Sequence, residues 1–171
     1  MMICKAKMRK APEYSICRKG DDMSCSLQKS IQNIDISTIQ FRGVYSAWSF
    51  EHNISYLDML ILHTISDEGY CTQKGIGDKY LFSRQTVHDA LTRLHEKGYI
   101  KISQKFTNGR DPMLMAFVMT DKGQSYAAPL LSSLEEIEHK AANVLGSEKL
   151  DILSELLSEY TNALRDAVHD A

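Results

Sequence analysis

The residues with the most specific chemistry stand together near the middle of the chain. Four polar side chains lie at the start of a predicted helix over residues 83–97: Arg84, Gln85, Thr86 and His88. A glutamine amide can pair with both polar atoms of an adenine edge and an arginine with those of guanine, and such side chains also bind phosphate oxygens. This group therefore predicts contact with DNA, the alternative being an ordinary solvated helix face.

Nearby cations are candidates for phosphate contact. They are Lys74, Lys101, Lys105 and Arg110. Arg110 directly follows Asn108-Gly109, a strong signal for the turn of a β-hairpin, where a side chain could reach a neighbouring minor groove. Lysine and arginine at such positions would neutralise phosphates, whereas the alternative for Arg110 is a plain turn residue.

The hydrophobic pattern predicts the elements that position these side chains. Apolar residues at three- and four-residue steps predict helices over residues 34–50, 56–68, 72–81, 83–97, 124–145 and 147–168. Alternation over residues 99–106 and a return over 113–120 predict a hairpin. The predicted fold class is mainly α with a small β-hairpin wing (α+β), a winged helix-turn-helix lobe plus a helical dimerisation domain.

These elements suggest four parts of the chain. Residues 1–30 form a basic, cysteine-containing arm that is loosely ordered, 31–70 the N-terminal helices, 71–123 the winged lobe and 124–171 the C-terminal helices. The last helix carries a long apolar stripe that one domain of this size cannot cover. A second copy of the chain is its expected partner, which predicts a homodimer.

The charge is unevenly distributed, although the formal net charge is only −2. Residues 71–111 contain eight basic and four acidic side chains, whereas residues 121–171 contain four basic and ten acidic ones. Near-neutrality therefore does not exclude DNA binding, because the positive charge lies on the predicted lobe. The longest apolar run is too short to span a membrane and no secretory signal is visible, so we expect a cytoplasmic protein with reduced thiols.

Two motifs resemble a known family. The segment Ser83–Ile100, SRQTVHDALTRLHEKGYI, is similar to the recognition helix and following strand of MarR-type transcription regulators. The sequence Thr120-Asp121-Lys122-Gly123 resembles the motif that closes the wing of that family. The resemblance covers about a third of the chain. It implies a homodimeric repressor that binds a pseudo-palindromic operator in double-stranded DNA and is released by a small effector.

Two positions depart from the family pattern. The arginine of the wing falls on Met113, so Arg110 is expected to take its place. A position that is often basic in the family holds Asp89. We expect Asp89 to orient Arg93 four residues further on, the alternative being acceptance of a hydrogen bond from a cytosine amino group.

The resemblance also implies an effector site between the first two helices and the lobe, where the family often binds aromatic acids. The candidate pocket residues are Tyr45, Trp48, His52, Tyr56, Met59 and His63. Aromatic and methionine side chains at helical spacing are more often core residues of the domain and the dimer. For any single residue of this set we favour that interpretation.

Other functions receive less support from the sequence. Cys4, Cys17 and Cys25 lie in the basic arm, and nearby cations favour a thiolate, so a thiol-based redox sensor on the same scaffold is one alternative. A winged-helix module for protein interaction or replication is another. The acidic run around His139 is interpreted as a solvated helix face, so no metal and no cofactor are expected. The chain contains none of the nucleotide-binding, serine-hydrolase or zinc-protease motifs, so no enzyme is expected.

Overall fold

The computed structural model describes residues 22–104 and 115–170. The helices are α1 (Asp22–Glu51), α2 (Tyr56–Glu68), α3 (Gln73–Tyr80), α4 (Arg84–Glu96), α5 (Asp121–Leu145) and α6 (Ser147–His169), and the strands are β1 (Cys71–Thr72), β2 (Ile100–Ser103) and β3 (Ala116–Met119). The chain divides into two compact units, Met1–Ala47 and Trp48–Ala171. No helix within the described ranges is both long and apolar enough to cross a bilayer.

Helix α1 begins at Asp22, well before the predicted start near Ile34. Residues 22–33 carry few large apolar side chains, so no helical period is visible there. Once a helix has formed, each added residue contributes a further backbone hydrogen bond, and a polar segment can therefore extend it. Several apolar side chains of α1 are exposed within this chain, among them Leu27, Ile39 and Phe41.

Hydroxyl side chains begin four of the helices. Each accepts a hydrogen bond from the backbone three residues further on: Ser55 from Asp58, Thr72 from Gly75, Ser83 from Thr86 and Thr120 from Gly123. A serine or threonine directly before an apolar helical period predicts an N-cap, so Ser55, Thr72 and Ser83 are expected from the sequence, and the structure confirms all three. Ser147 is expected by the same argument to cap α6, and this prediction is wrong, because Gly146 holds the N-cap position and no side chain caps that helix.

The three strands form an antiparallel sheet in the order β1-β3-β2. Phe117 of β3 pairs with Ile102 on one side and with Cys71 on the other. The predicted pairing of the last two strands is confirmed, and the mainly α fold class with a small β element is also confirmed. Strand β1 is two residues long, too short for an alternating pattern to reveal it. Its presence makes β3 the central strand, so both edges of β3 are paired.

The core of the second unit lies among α2, α3, α4, the sheet and the first half of α5. Leu62, Ile76, Val87, Leu94 and Ile100 are almost completely buried there, one or two from each of the first four elements. Their burial fixes α4 through one face and leaves its opposite face in solvent. The hydrophobic effect, which scales with the apolar area removed from water, therefore sets the orientation of α4.

A glycine brings the start of α5 against the beginning of β2. A Cβ atom at Gly123 would lie 1.9 Å from the carbonyl oxygen of Tyr99, so no other residue fits without a shift of the backbone. Thr120 reinforces the contact, since its Oγ1 donates to the carbonyl of Gly98 at 2.6 Å. A glycine inside a helix can allow another helix to approach closely, and the sequence suggests this role for Gly77. The structure does not show it, since a Cβ atom at Gly77 would lie 3.5 Å from the carbonyl oxygen of Phe82, an ordinary contact.

A buried ion pair joins α2 to α4. Asp58 is 2% exposed and accepts hydrogen bonds from Arg93 Nε at 2.9 Å and from Arg93 Nη2 at 2.5 Å. The hydrogen bond to Asp58 raises the pKa of the Arg93 guanidinium, partial burial opposes this, and the charges of Asp58 and Asp89 add to the rise. The expected hydrogen-bonded pairing of Asp89 with Arg93 is wrong, because Arg93 turns towards α2 and Asp89 instead accepts from Gln85.

We expect the two halves of this ion pair to differ in their effect on stability. Arg93→Ala leaves the buried carboxylate of Asp58 without its cation, and breaking such a pair costs about 3 kcal/mol or more. Asp58→Ala is expected to cost less, because the Arg93 side chain is 43% exposed and water can solvate it. Denaturant unfolding of both variants and of the double variant gives the coupling free energy, which we expect to exceed about 1 kcal/mol.

Lys79→Ala is the matched control. Lys79 pairs with Glu68 at 2.6 Å on the surface, where both side chains are about half exposed. Exposed pairs contribute about 0–1 kcal/mol, so this variant should remain close to the parent. Equal losses from Arg93→Ala and Lys79→Ala would contradict a special role for the buried pair.

Candidate functional site

Helices α3 and α4 form a tightly connected helix-turn-helix. The turn passes through Leu81, whose φ of 55° lies in the left-handed region, and Ser83 then begins α4. Gln73 at the start of α3 donates from Nε2 to the carbonyl of Arg84 at 3.0 Å. This hydrogen bond joins the first turns of the two helices and fixes where the exposed end of α4 begins. Sequence reasoning missed it, because the two residues are eleven positions apart.

The four predicted contact residues all lie on the exposed side of α4. Arg84, Gln85, Thr86 and His88 are exposed, whereas the opposite face, which includes Ala90 and Leu91, is buried. Gln85 donates from Nε2 to Asp89 Oδ1 at 2.7 Å, and the hydroxyls of Thr86 and Ser83 lie 2.7 Å apart. The structure therefore brings the predicted set together in the first turns of a single helix.

The predicted phosphate contacts are more scattered. Lys74 lies on α3 and pairs with Asp78 at 2.6 Å, with both side chains more than half exposed. Lys101 is an exposed residue of β2. Lys105 and Arg110 lie outside the described residues. The structure thus places the predicted α3 and β2 cations at the surface and leaves the wing contacts as predictions.

A lysine that sequence reasoning did not single out holds the other end of α4. Lys122 donates from Nζ to the carbonyl of Lys97 at 2.6 Å and lies 5.2 Å from the centre of the Tyr99 ring. Tyr99 in turn stacks on Tyr126 of α5 with ring centres 4.3 Å apart. Burial, followed by the charges of Tyr99 and Asp58, raises the pKa of Tyr126. A cation that binds the last carbonyls of a helix compensates its unsatisfied acceptors.

The predicted effector residues lie in both units. Tyr45 belongs to the first unit, where its ring lies 5.1 Å from that of Phe41. In the second unit Trp48 and His52 stack at 4.1 Å, and His52 Nδ1 lies 2.8 Å from the carbonyl of Trp48. The other three residues differ in exposure: Tyr56 is half-buried, Met59 is 1% exposed in the core, and His63 pairs with Asp67 at 2.9 Å.

Two buried polar atoms near the end of α1 have no hydrogen-bond partner in the described part of the chain. They are Nε1 of Trp48 and Oγ of Ser49. A buried donor without a partner costs about 1–3 kcal/mol, so such atoms mark places where another molecule could complete the structure. A separate cleft of about 250 Å³ is lined by Ile65, Ser66, Gly69, Val118, Met119 and Gln124, and none of the predicted effector residues lines it.

The cysteines differ in their chemistry. Cys71 is buried in β1, and burial, with a smaller effect of Glu68, raises the pKa of its thiol to about 12. Such a thiol is a poor nucleophile at neutral pH. Cys25 is disulfide-bonded, which differs from the expected reduced state. Within residues 22–104 and 115–170, no three histidine, cysteine or acidic side chains are grouped as a metal site would require.

Comparisons with known proteins identify this arrangement. Residues 52–105, which contain α2, α3, α4 and β2, match the model of the MarR family. No curated protein sequence matches the chain significantly. The family match therefore covers the helix-turn-helix and the first strand of the wing.

Solved structures extend the similarity along most of the chain. A MarR family regulator from Neisseria meningitidis superposes with a TM-score of 0.75 at 23% identity, covering 82% of this chain and 97% of that one. Staphylococcus aureus MarR in complex with salicylate and kanamycin gives 0.64 at 16%, covering 82% and 94%. The S. aureus MepR–DNA complex gives 0.61 at 16%, covering 77% and 93%. Residues 52–105 thus match the MarR family model, and the chain has the winged helix-turn-helix fold of the MarR regulators to which it is similar.

Proposed function

We propose that the protein is a homodimeric transcription repressor that binds a pseudo-palindromic DNA site through α4. The observation that carries the proposal is the geometry of α4, whose one face is buried while the other presents arginine, glutamine, threonine and histidine to solvent. An α-helix with such a face fits the major groove. Two copies would place their α4 helices about 34–36 Å apart, one turn of DNA.

The positive charge of residues 71–111 supports contact with a polyanion. Residues 71–111 carry eight basic and four acidic side chains. Arg84 at the start of α4 and Lys101 on β2 are both exposed. Phosphate contacts supply most of the sequence-independent affinity for DNA. The acidic excess of residues 121–171 would then lie on the side away from the duplex.

Exposed apolar side chains on α6 support the dimer. The helix has no fully buried residue, and its stripe of large apolar side chains remains partly exposed in the single chain, including Leu153, Leu157 and Leu164. Contiguous apolar surface of this kind marks an interface. A second copy of the chain supplies the same stripe by symmetry.

Release by a small effector completes the proposal. The S. aureus MarR structure contains salicylate, and in this chain the orphan donors of Trp48 and Ser49 support a polar ligand near the end of α1. The predicted pocket residues in this part of the second unit are Trp48, His52 and Tyr56. An effector acts by binding the DNA-free state more tightly than the DNA-bound state, and it would do so in the cytoplasm.

Arg84→Ala is expected to weaken DNA binding about 10-fold or more, because it removes a cation at the start of α4. The measurement is fluorescence anisotropy on a duplex that carries the promoter beside the gene of this protein, at several salt concentrations. The slope of log affinity against log salt should fall in magnitude by about 1.

Arg165→Ala is the control for this experiment, since it removes the same charge from α6. It should leave both the affinity and the slope close to those of the parent. Equal effects of the two variants, or an affinity that does not depend on salt, would refute DNA binding through α4. That result would favour the alternative of a winged-helix module for protein interaction or replication.

The double variant Leu153→Asp, Leu157→Asp is expected to dissociate the dimer, because it places two charges in the apolar stripe. Light scattering in dilute solution should give the 19.4 kDa mass of one chain for the variant and twice that mass for the parent. The control is Asn162→Asp, which adds a charge on the opposite side of α6 and should leave the dimer intact. A monomeric parent would refute the proposed dimer.

Thiol-based sensing is a second candidate function, and the disulfide-bonded state of Cys25 favours it. If it operates, peroxide should change the DNA affinity of the parent but not of a variant with serine at positions 4, 17 and 25. Cys71 then remains as the single thiol. Its pKa of about 12 predicts no alkylation at pH 8 in the native state and full alkylation after unfolding. An equal peroxide response of parent and variant would eliminate this candidate.

A further inference from the structure

Gln85 and Asp89 occupy the centre of the exposed face of α4. Successive residues of an α-helix are about 100° apart around the axis, so residues four apart lie nearly above one another. The buried face is formed by Val87, Ala90, Leu91 and Leu94. On this geometry Gln85 and Asp89 point almost directly away from the core, whereas Arg84 lies to one side. A duplex against this face would meet the Gln85–Asp89 pair first.

The carboxylate of Asp89 does not form an ion pair with Arg93, four residues further along α4. The N–H groups of Arg93 donate to Asp58, at 2.9 Å from Nε and 2.5 Å from Nη2. Asp89 accepts instead from Gln85 Nε2 through Oδ1, at 2.7 Å. A carboxylate has two oxygens with about four acceptor sites, so this hydrogen bond leaves acceptor capacity on the exposed face.

We propose that Asp89 is a specificity-determining residue, which accepts a hydrogen bond from the N4 amino group of a cytosine while it orients Gln85 towards an adjacent adenine. The inference rests on the proposed function, since it requires α4 to lie in the major groove. The inference assigns a preference for cytosine, which a basic side chain at position 89 would not give.

The chemistry of the base edges makes a carboxylate selective. In the major groove guanine presents two acceptors and thymine an acceptor and a methyl group, so neither can donate to Asp89, whereas the amino groups of cytosine and adenine can. Adenine also places its N7 acceptor beside the amino group, where it repels the carboxylate, so cytosine is the favoured base. The negative charge of Asp89 is also repelled by the phosphates of any duplex, whatever its sequence. Asp89 therefore weakens binding to sequences without a donor at this position and is compensated where a cytosine amino group is present.

The hydrogen bond within the pair sets the orientation of the glutamine amide. Nε2 of Gln85 carries two hydrogens, of which one points to Asp89. The second hydrogen of Nε2 can donate to N7 of adenine, while Oε1 accepts from the N6 amino group of the same base. The pair is expected to select adjacent adenine and cytosine in each half-site.

The test is selection of duplexes from a random-sequence library by the full chain and three variants. The parent should enrich a motif with one cytosine and a neighbouring adenine per half-site. Asp89→Asn, whose amide can also donate, should lose the cytosine preference by about 5- to 100-fold while it binds other sequences more tightly. Gln85→Ala should lose the adenine preference and keep the cytosine.

Glu96→Gln is the matched control, because it neutralises an exposed carboxylate seven residues further along α4. It should raise affinity slightly without altering the motif. A motif that Asp89→Asn leaves unchanged would overturn the inference while leaving the proposed function in place. If the parent enriches no motif, sequence-specific binding and this inference both fail, and the parent experiment alone identifies that outcome.

Discussion

The hydrogen-bonded ion pair between Asp58 and Arg93 is the interaction on which the arrangement of the second unit depends. A carboxylate that is 2% exposed is tolerated because a guanidinium donates to it through two nitrogens. Arg93 lies in the last turn of α4, and Asp58 lies in the first turn of α2. The pair therefore ties the helix that faces solvent to the helix that supplies much of the core, and it leaves Asp89 for a different role.

Helix α4 is held at both ends as well as in the middle. Gln73 binds the carbonyl of Arg84 at its start, and Lys122 binds the carbonyl of Lys97 just after its end. Apolar burial along one face supplies the third constraint. A contact surface fixed in this way loses little conformational entropy on binding, because its backbone position is set before any partner arrives.

The sequence predicted the helix-turn-helix well because its signals are local. Ser55, Thr72 and Ser83 are hydroxyl caps directly before apolar periods, and those patterns fix helix ends within a few residues. Contacts between distant residues were not predictable: Arg93 had two carboxylates within reach, and its choice of Asp58 over Asp89 depends on how α2 packs on α4. Strand β1 was missed because two residues are too few to show an alternating hydrophobic pattern. The early start of α1 was missed because its first turns are polar and show no helical hydrophobic period.

The glycine at the start of α5 has a geometric consequence for the rest of that helix. Gly123 places the first turn of α5 against the backbone of Tyr99, so the helix can pivot there only by displacing the start of β2. Helix α5 has 25 residues and is thus about 37 Å long. A tilt of about 5° at the pivot would move its far end by about 3 Å. Small changes of angle at Gly123 are therefore magnified into large displacements at Leu145, and displacements imposed at Leu145 are reduced to fine adjustments beside Tyr99.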